Sequence, residues 1–398
     1  MPELPSIFPA ERTAPFDPPE EYAALAASRC PMAKVRLWND RSIWLAVGYE
    51  EARTALRDDR FSADRNNPHY PLHNRQAVQL QLRDTFIGQD GEPHARVRRV
   101  LNKDFSINSV QQMRPEIERI VDYYLDAMAE MTPPVDLCEA FALPVPSHVM
   151  CHVLGIPFED GEYFTERAHA VLSNASDPQL VIDAMADLRG YLARLVESKQ
   201  DNLGDDVISR LLAERGDTFS HEEIITISLL LRGAGHETTA NMIGLSTFAL
   251  LEHPEQRDLL LAREDLAPQA VEELLRYLSI FQHGLGRVVT GDIELGGERL
   301  KPGDGVISMI NVANRDAGRF PAPDQLDITN AEAARGHLAF GFGAHNCLGK
   351  ALARLELEVA LTHLLRRFPG LRLAVPPQDV KLRTDMHIYG VHELPVTW

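Results

Sequence analysis

The chain has 398 residues, with 40 Lys and Arg against 58 Asp and Glu, 15 His, four Cys and 44% hydrophobic residues. That length buries a large core and gives a prior of two or three domains, while a formal net charge of −18 argues against nucleic acid or an anionic membrane surface as the main partner. Cys30, Cys138, Cys151 and Cys347 include no C-x-x-C pair and read as reduced thiols, and the proline-rich, acidic start has neither a basic n-region nor an apolar core, so a soluble cytoplasmic protein is expected.

In chain order, a short helical pattern follows Pro19, and residues 34–47 read as a hairpin turning at Asn39-Asp40. From about residue 49 to 285 the periodicity is mostly helical, broken by loops at 62–75, 131–136, 155–160 and 200–206. Within it, the segment from His94 to Lys103 concentrates positive charge: His94 and Arg98 share one helix face, and Arg96, Arg99 and Lys103 the opposite one. The longest helical pattern covers 220–252, opened by a capping box of Ser220 and Glu223. Its length would be about 48 Å, and Arg232, His236 and Glu237 near its centre argue against a membrane span. Strand signals return over 287–308 with a turn at Gly296-Gly297, a long helix covers about 348–367, and short strands at 371–374 and 388–396 close the chain. Helices dominate and strands cluster near the two ends, which predicts a mainly α, α+β fold rather than alternating βαβ units.

Three constellations carry chemistry. Gly233, Gly235, Thr238 and Thr239 are poor helix formers in the middle of the long helix. Ala234 and Thr238 stack one turn apart, leaving a small groove where a hydroxyl and the Glu237 carboxylate can meet a ligand. A zincin-like reading of His236-Glu237 fails because position 240 is Ala; a kinked core helix with Thr hydroxyls bonded back to carbonyls stays open. Glu273 and Arg276 form an E-x-x-R pair, a spacing that taken alone is usually an exposed ion pair. Residues 340–349, Phe-Gly-Phe-Gly-Ala-His-Asn-Cys-Leu-Gly, place Cys347 on a glycine loop before a helix. Unpaired N–H groups and the positive dipole end there favour thiolate. A buried structural cysteine is the plainer reading of that loop, and a cysteine nucleophile activated by His345 a third.

The F-x-x-G-x-x-x-C-x-G loop resembles the haem-binding signature of the cytochrome P450 superfamily, and Ala234-Gly235-His236-Glu237-Thr238-Thr239 resembles its oxygen-activation motif. The resemblance spans nearly the whole chain, from GEPHARVRR at 91–99 to the closing ELPVTW, and is closest to soluble actinomycete-type members fed by ferredoxin. It implies a single haem-thiolate domain over residues 1–398, haem b (iron protoporphyrin IX) as cofactor, and Cys347 as axial iron ligand. Phe340 would pack beside the thiolate, and Gly343 and Gly349 would keep the loop close to the porphyrin. His94, Arg98, Arg287 and His345 would meet the propionates. Glu237 and Thr238 would relay protons to bound dioxygen, and Glu273 and Arg276 would be structural. Phe86, Ile87, Leu230, Ala234, Phe281, Leu285 and Ile388 would face an apolar, medium-sized organic substrate of secondary-metabolite or xenobiotic type. Arg75, Arg83 and His283 are candidates to anchor a polar end. Arg96, Arg99 and Lys103 would meet an acidic ferredoxin, itself reduced by a ferredoxin reductase with NAD(P)H electrons. No nucleic acid and no membrane partner is expected, and a monomer is. Relatives often carry Arg where this chain has Asn330. Two readings on the same cofactor remain: a nitric oxide reductase, suggested by the likeness of FALPVPS (141–147) to fungal members, and a non-enzymatic haem sensor.

Overall fold

The Asn39-Asp40 turn forms because Asp40 accepts a φ of 63°, a left-handed conformation that short polar side chains tolerate. It joins β1 (Met32–Arg36) to β2 (Ser42–Ala46) in the antiparallel register Met32↔Ala46 to Arg36↔Ser42. β3 is Phe61–Ser62, β4 Val135–Asp136, β5 Leu285–Val289, β6 Ile293–Leu295, β7 Glu298–Leu300 and β8 Gly305–Ser308. β2 runs parallel to β8, β8 antiparallel to β5 and β5 antiparallel to β3, giving a five-stranded sheet in the order β1-β2-β8-β5-β3. β6 and β7 make the expected hairpin across Gly296-Gly297. Of the closing strands, β9 (Arg372–Leu373) and β12 (Pro395–Thr397) sheet with β4, and β10 (Lys381–Leu382) pairs with β11 (Val391–Glu393). The remaining regular structure is overwhelmingly helical, as the sequence predicts.

This computed structural model describes residues 8–27, 31–72, 85–172, 178–214, 218–331, 335–384 and 386–398. Arg75 and Arg83 lie outside the described residues, as does Cys30. The fold divides into two compact units. One takes the chain up to Ala95, Leu245–Lys350 and Lys381–His392; the other takes Arg96–Gly244, Ala351–Val380 and Glu393–Trp398.

The first unit holds the five-stranded sheet. One apolar cluster gathers Tyr49, Leu56, Phe61, Val289, Val306, Phe320 and Leu338, with Phe281, Leu285 and Phe342 packed at its edge. The helix Ala267–Leu278 places Glu273 and Arg276 inside this unit, each side chain 1% exposed. Arg276 Nε and Nη2 donate to the two Glu273 carboxylate oxygens at 2.8 and 2.7 Å. The rest of the guanidinium donates to the carbonyls of Asn314, Pro323 and Gln325, and Glu273 Oε1 accepts from the Asp327 N–H. The pair is thus a buried clamp on the 314–327 loop, where spacing alone suggested an exposed bridge.

The second unit is helical apart from the β4-β12-β9 sheet. Its long central helix runs uninterrupted from His221 to Glu252, continuing past Gly244 into the first unit's stretch of chain. It starts on the predicted capping box: the Ser220 N–H donates to Glu223 Oε2 at 2.9 Å, and the Glu223 N–H to Ser220 Oγ at 3.2 Å. A Cβ at Gly235 would lie 2.4 Å from Met150 Sδ. Glycine there lets the central helix close on the helix Pro144–Leu154, which offsets its poor helix propensity.

Candidate functional site

In the first unit the Cys347 loop is shaped by its own backbone. The Cys347 N–H donates to the Phe340 carbonyl at 2.8 Å, closing the loop seven residues back. Gly343 takes a φ of 76°, and a Cβ there would stand 2.6 Å from the Leu56 carbonyl oxygen, so only glycine fits the conformation and the space. A Cβ at Gly349 would meet nothing within 4 Å. Cys347 is exposed, whereas Cys138 and Cys151 are buried, and the helix Lys350–Arg367 begins three residues later. An exposed thiol just ahead of a helix N-terminus is the electropositive setting that favours thiolate. Leu285 reaches the same loop, with Cδ1 3.4 Å from where a Gly341 Cβ would sit.

Beside the loop sit two stacked imidazoles. His94, 6% exposed, lies with its ring centroid 4.1 Å from that of His345. Phe86 also stacks against His94, at 6.1 Å between ring centroids. His345 Nε2 is 2.9 Å from Asp90 Oδ1, and Asp90 also accepts from Ser62 Oγ at 2.5 Å and the Ala63 N–H at 3.0 Å. Partial burial alone would raise the Asp90 carboxyl, but hydrogen bonds from His345, Ser62 and Ala63 outweigh it and hold it well below the usual carboxylate range. Asp90 was not singled out by the sequence; its signal is the four-residue spacing to His94. Arg287, in β5, is 6% exposed and donates to the Gly286 carbonyl at 2.7 Å. Burial lowers its pKa, and among the described residues no carboxylate lies within ion-pair distance of it. A buried guanidinium lacking a carboxylate suits an anionic ligand group. Phe281 and Ile388, from distant parts of the sequence, meet in an isolated antiparallel bridge.

In the second unit the central helix is buried on most sides but not all. Gly233 and Ala234 are exposed, and Leu230, Glu237 and Thr238 half-buried, at the three- and four-residue spacings of a single stripe. Thr238 Oγ1 donates to the Ala234 carbonyl at 2.7 Å, and Asn241 Nδ2 donates to the Glu237 carbonyl at 2.8 Å. The expected back-bonding of threonine is present without a break in the helix. His236 is buried and faces away, Nε2 3.1 Å from the Leu143 carbonyl. Arg98 is half-buried, and Arg99 and Lys103 are exposed. Arg96 departs from the expected outward stripe: it pairs with Glu223, donates to the Thr218 carbonyl at 2.5 Å and lies over the Phe219 ring.

The donor set of the first unit fits a haem: one exposed thiol on a glycine loop, with imidazoles and a buried arginine suited to propionates. The cytochrome P450 family profile matches residues 260–395. The chain is 45% identical over 393 residues to cytochrome P450-SU2 of Streptomyces griseolus, covering 98% of this chain and 96% of that one. It is 44% identical over 398 residues to pentalenic acid synthase of Streptomyces avermitilis, covering 99% and 98%. Among solved structures, cytochrome P450 MoxA from Nonomuraea recticatena superposes with a TM-score of 0.93 at 43% identity, covering 98% of each chain. The chain belongs to the cytochrome P450 family, the haem-thiolate monooxygenases whose cofactor is haem b.

Proposed function

We propose that Cys347 is the axial ligand of the haem iron, and that Glu237 and Thr238 handle protons while a C–H bond of an apolar, medium-sized organic molecule is oxidised. Bound haem would supply dioxygen binding and activation, tuned by electron donation from the thiolate. The observation that carries the reading is the exposed Cys347 thiol on a glycine loop just before a helix start, where the other two described cysteines are buried. His94, Arg98, Arg287 and His345 hold the propionates, with Asp90 fixing the His345 ring through Nε2. Phe340, Gly343 and Gly349 shape the loop around the sulfur. Thr238 Oγ1 donates its hydrogen to the Ala234 carbonyl, which leaves its lone pairs free to accept a hydrogen bond from a protonated group, while the Glu237 carboxyl is the group that gives and takes the proton.

The motif residues between 94 and 349 serve one cofactor, so the chain works as a single haem-enclosing domain and, we infer, as a monomer in the cytoplasm. No described helix is long and apolar enough to cross a membrane. Electrons come from an acidic ferredoxin, which Arg99 and Lys103 suit. Leu230, Ala234, Phe281, Leu285 and Ile388, with Phe86 and Ile87, give the substrate site an apolar character that suits a hydrophobic organic molecule of secondary-metabolite or xenobiotic type; one relative is named pentalenic acid synthase. Reduced protein treated with carbon monoxide should show the red-shifted Soret band of thiolate ligation, and Cys347→Ser should lose that band. A band that survives in Cys347→Ser rejects the assigned ligand.

A further inference from the structure

The segment that follows the helix Ala267–Leu278 is sewn to the loop between β10 and β11. The Tyr389 N–H donates to the Ile280 carbonyl at 2.8 Å, and the Gln282 N–H to the His387 carbonyl at 3.3 Å, on either side of the Phe281↔Ile388 bridge. Backbone pairing this short is a weak joint: one bridge and two hydrogen bonds hold two irregular stretches about a hundred residues apart in sequence.

The Gln282 side chain strengthens it. Gln282 is 4% exposed, and its Nε2 lies 3.0 Å from the Thr384 carbonyl oxygen, 3.3 Å from that of Arg383, and in direct contact with that of Met386. Three acceptors converge on one nitrogen that carries two N–H groups, so the position demands a donor. The main chain at Gln282 is held in turn, since its carbonyl accepts from Asn311 Nδ2 at 3.3 Å. Asn311 is itself buried, just after β8. The loop that Gln282 grips carries His387, whose ring stands edge-on to Phe281 at 5.6 Å between centroids. Moving this loop therefore moves both partners of the bridge.

We propose that Gln282 is a specificity-determining positioning residue, whose side-chain amide pins the loop after β10 so that Phe281 and Ile388 stand as one fixed apolar wall against the substrate. The proposal rests on the reading above that these two residues face the substrate. It differs from a contact role, because Gln282 touches backbone carbonyls rather than the ligand. Loss of the amide removes the side-chain donor that ties these carbonyls to the segment after the helix, and a carboxylate of the same shape sets like partial charges against each other.

The test uses two nitrogen ligands of haem, titrated by their Soret shift in the full-length holoprotein. Imidazole is small and reaches only the iron; 4-phenylimidazole extends along the wall. Gln282→Glu should weaken 4-phenylimidazole about tenfold, and Gln282→Leu by a smaller factor, with imidazole affinity held within about twofold. General loosening of the protein moves both ligands together, so their affinity ratio isolates the wall. An unchanged ratio in Gln282→Leu overturns the proposal, even where Gln282→Glu fails to fold. Failure of the reading that Phe281 and Ile388 face the substrate looks different: Phe281→Ala and Ile388→Ala then leave the ratio of 4-phenylimidazole to imidazole affinity unchanged as well, whereas a ratio that moves in those variants but not in Gln282→Leu rejects the role of Gln282 alone.

Discussion

At the scale of single residues, Asp90 shows how much a site depends on groups without a motif of their own. His345 can present one ring nitrogen in a fixed direction only if the other is tied, and Asp90 Oδ1 ties it at 2.9 Å. The carboxylate is held in turn by Ser62 and Ala63 at the end of β3, so the five-stranded sheet sets the ring's orientation. Because the folded-state pKa of Asp90 is depressed, its ionised form stabilises the fold above the unfolded pKa of about 3.9, and that contribution is lost as pH falls below it. The stability difference between parent and Asp90→Asn, read from urea midpoints, should therefore be full near neutrality and close on acidification. A difference that stays constant down to acid pH rejects the pairing.

At the scale of elements, the helix Ala267–Leu278 carries its weight through Glu273 and Arg276. Both are almost fully buried, and breaking such a pair by removing one charge costs about 3–5 kcal/mol, against a usual total of about 5–15 kcal/mol. Glu273→Gln keeps the shape but leaves the Arg276 charge uncompensated, so its denaturant midpoint should fall sharply and haem content with it. A midpoint equal to the parent's would show the clamp to be dispensable. The sequence contained the pair but not its burial, because the 314–327 carbonyls that enclose Arg276 arrive from another part of the chain. The Asn39-Asp40 turn, the Ser220–Glu223 capping box and the helix after Cys347 were legible, since each is determined within a few residues. The parallel pairing of Trp44 with Val306 and the grip of Gln282 on the loop after β10 were not, since no local pattern encodes a partner a hundred or more residues away. Arg96 belongs to the same class: helical periodicity placed it outward, and Glu223, 127 residues on, drew its guanidinium in.

At the scale of the whole molecule, a net charge of −18 sets a problem for electron delivery. The acidic ferredoxin proposed above would approach a surface that repels it at long range, so productive encounter would need a local cationic patch within about a Debye length, roughly 8 Å at physiological salt. Arg96 pairs with Glu223, and the exposed Arg99 and Lys103 carry the proposed patch on this helix end. Reversing both charges, Arg99→Glu with Lys103→Glu, removes the attraction and adds repulsion to the background. The second-order rate of reduction by ferredoxin at low ionic strength should fall about tenfold or more. Rates of parent and variant should converge as salt is raised, because screening removes the term in which they differ. Reduction by small uncharged reductants should be the same in both, which separates docking from any change at the haem. Equal ferredoxin rates at low salt would move the docking face away from this helix and leave the haem-site assignments untouched.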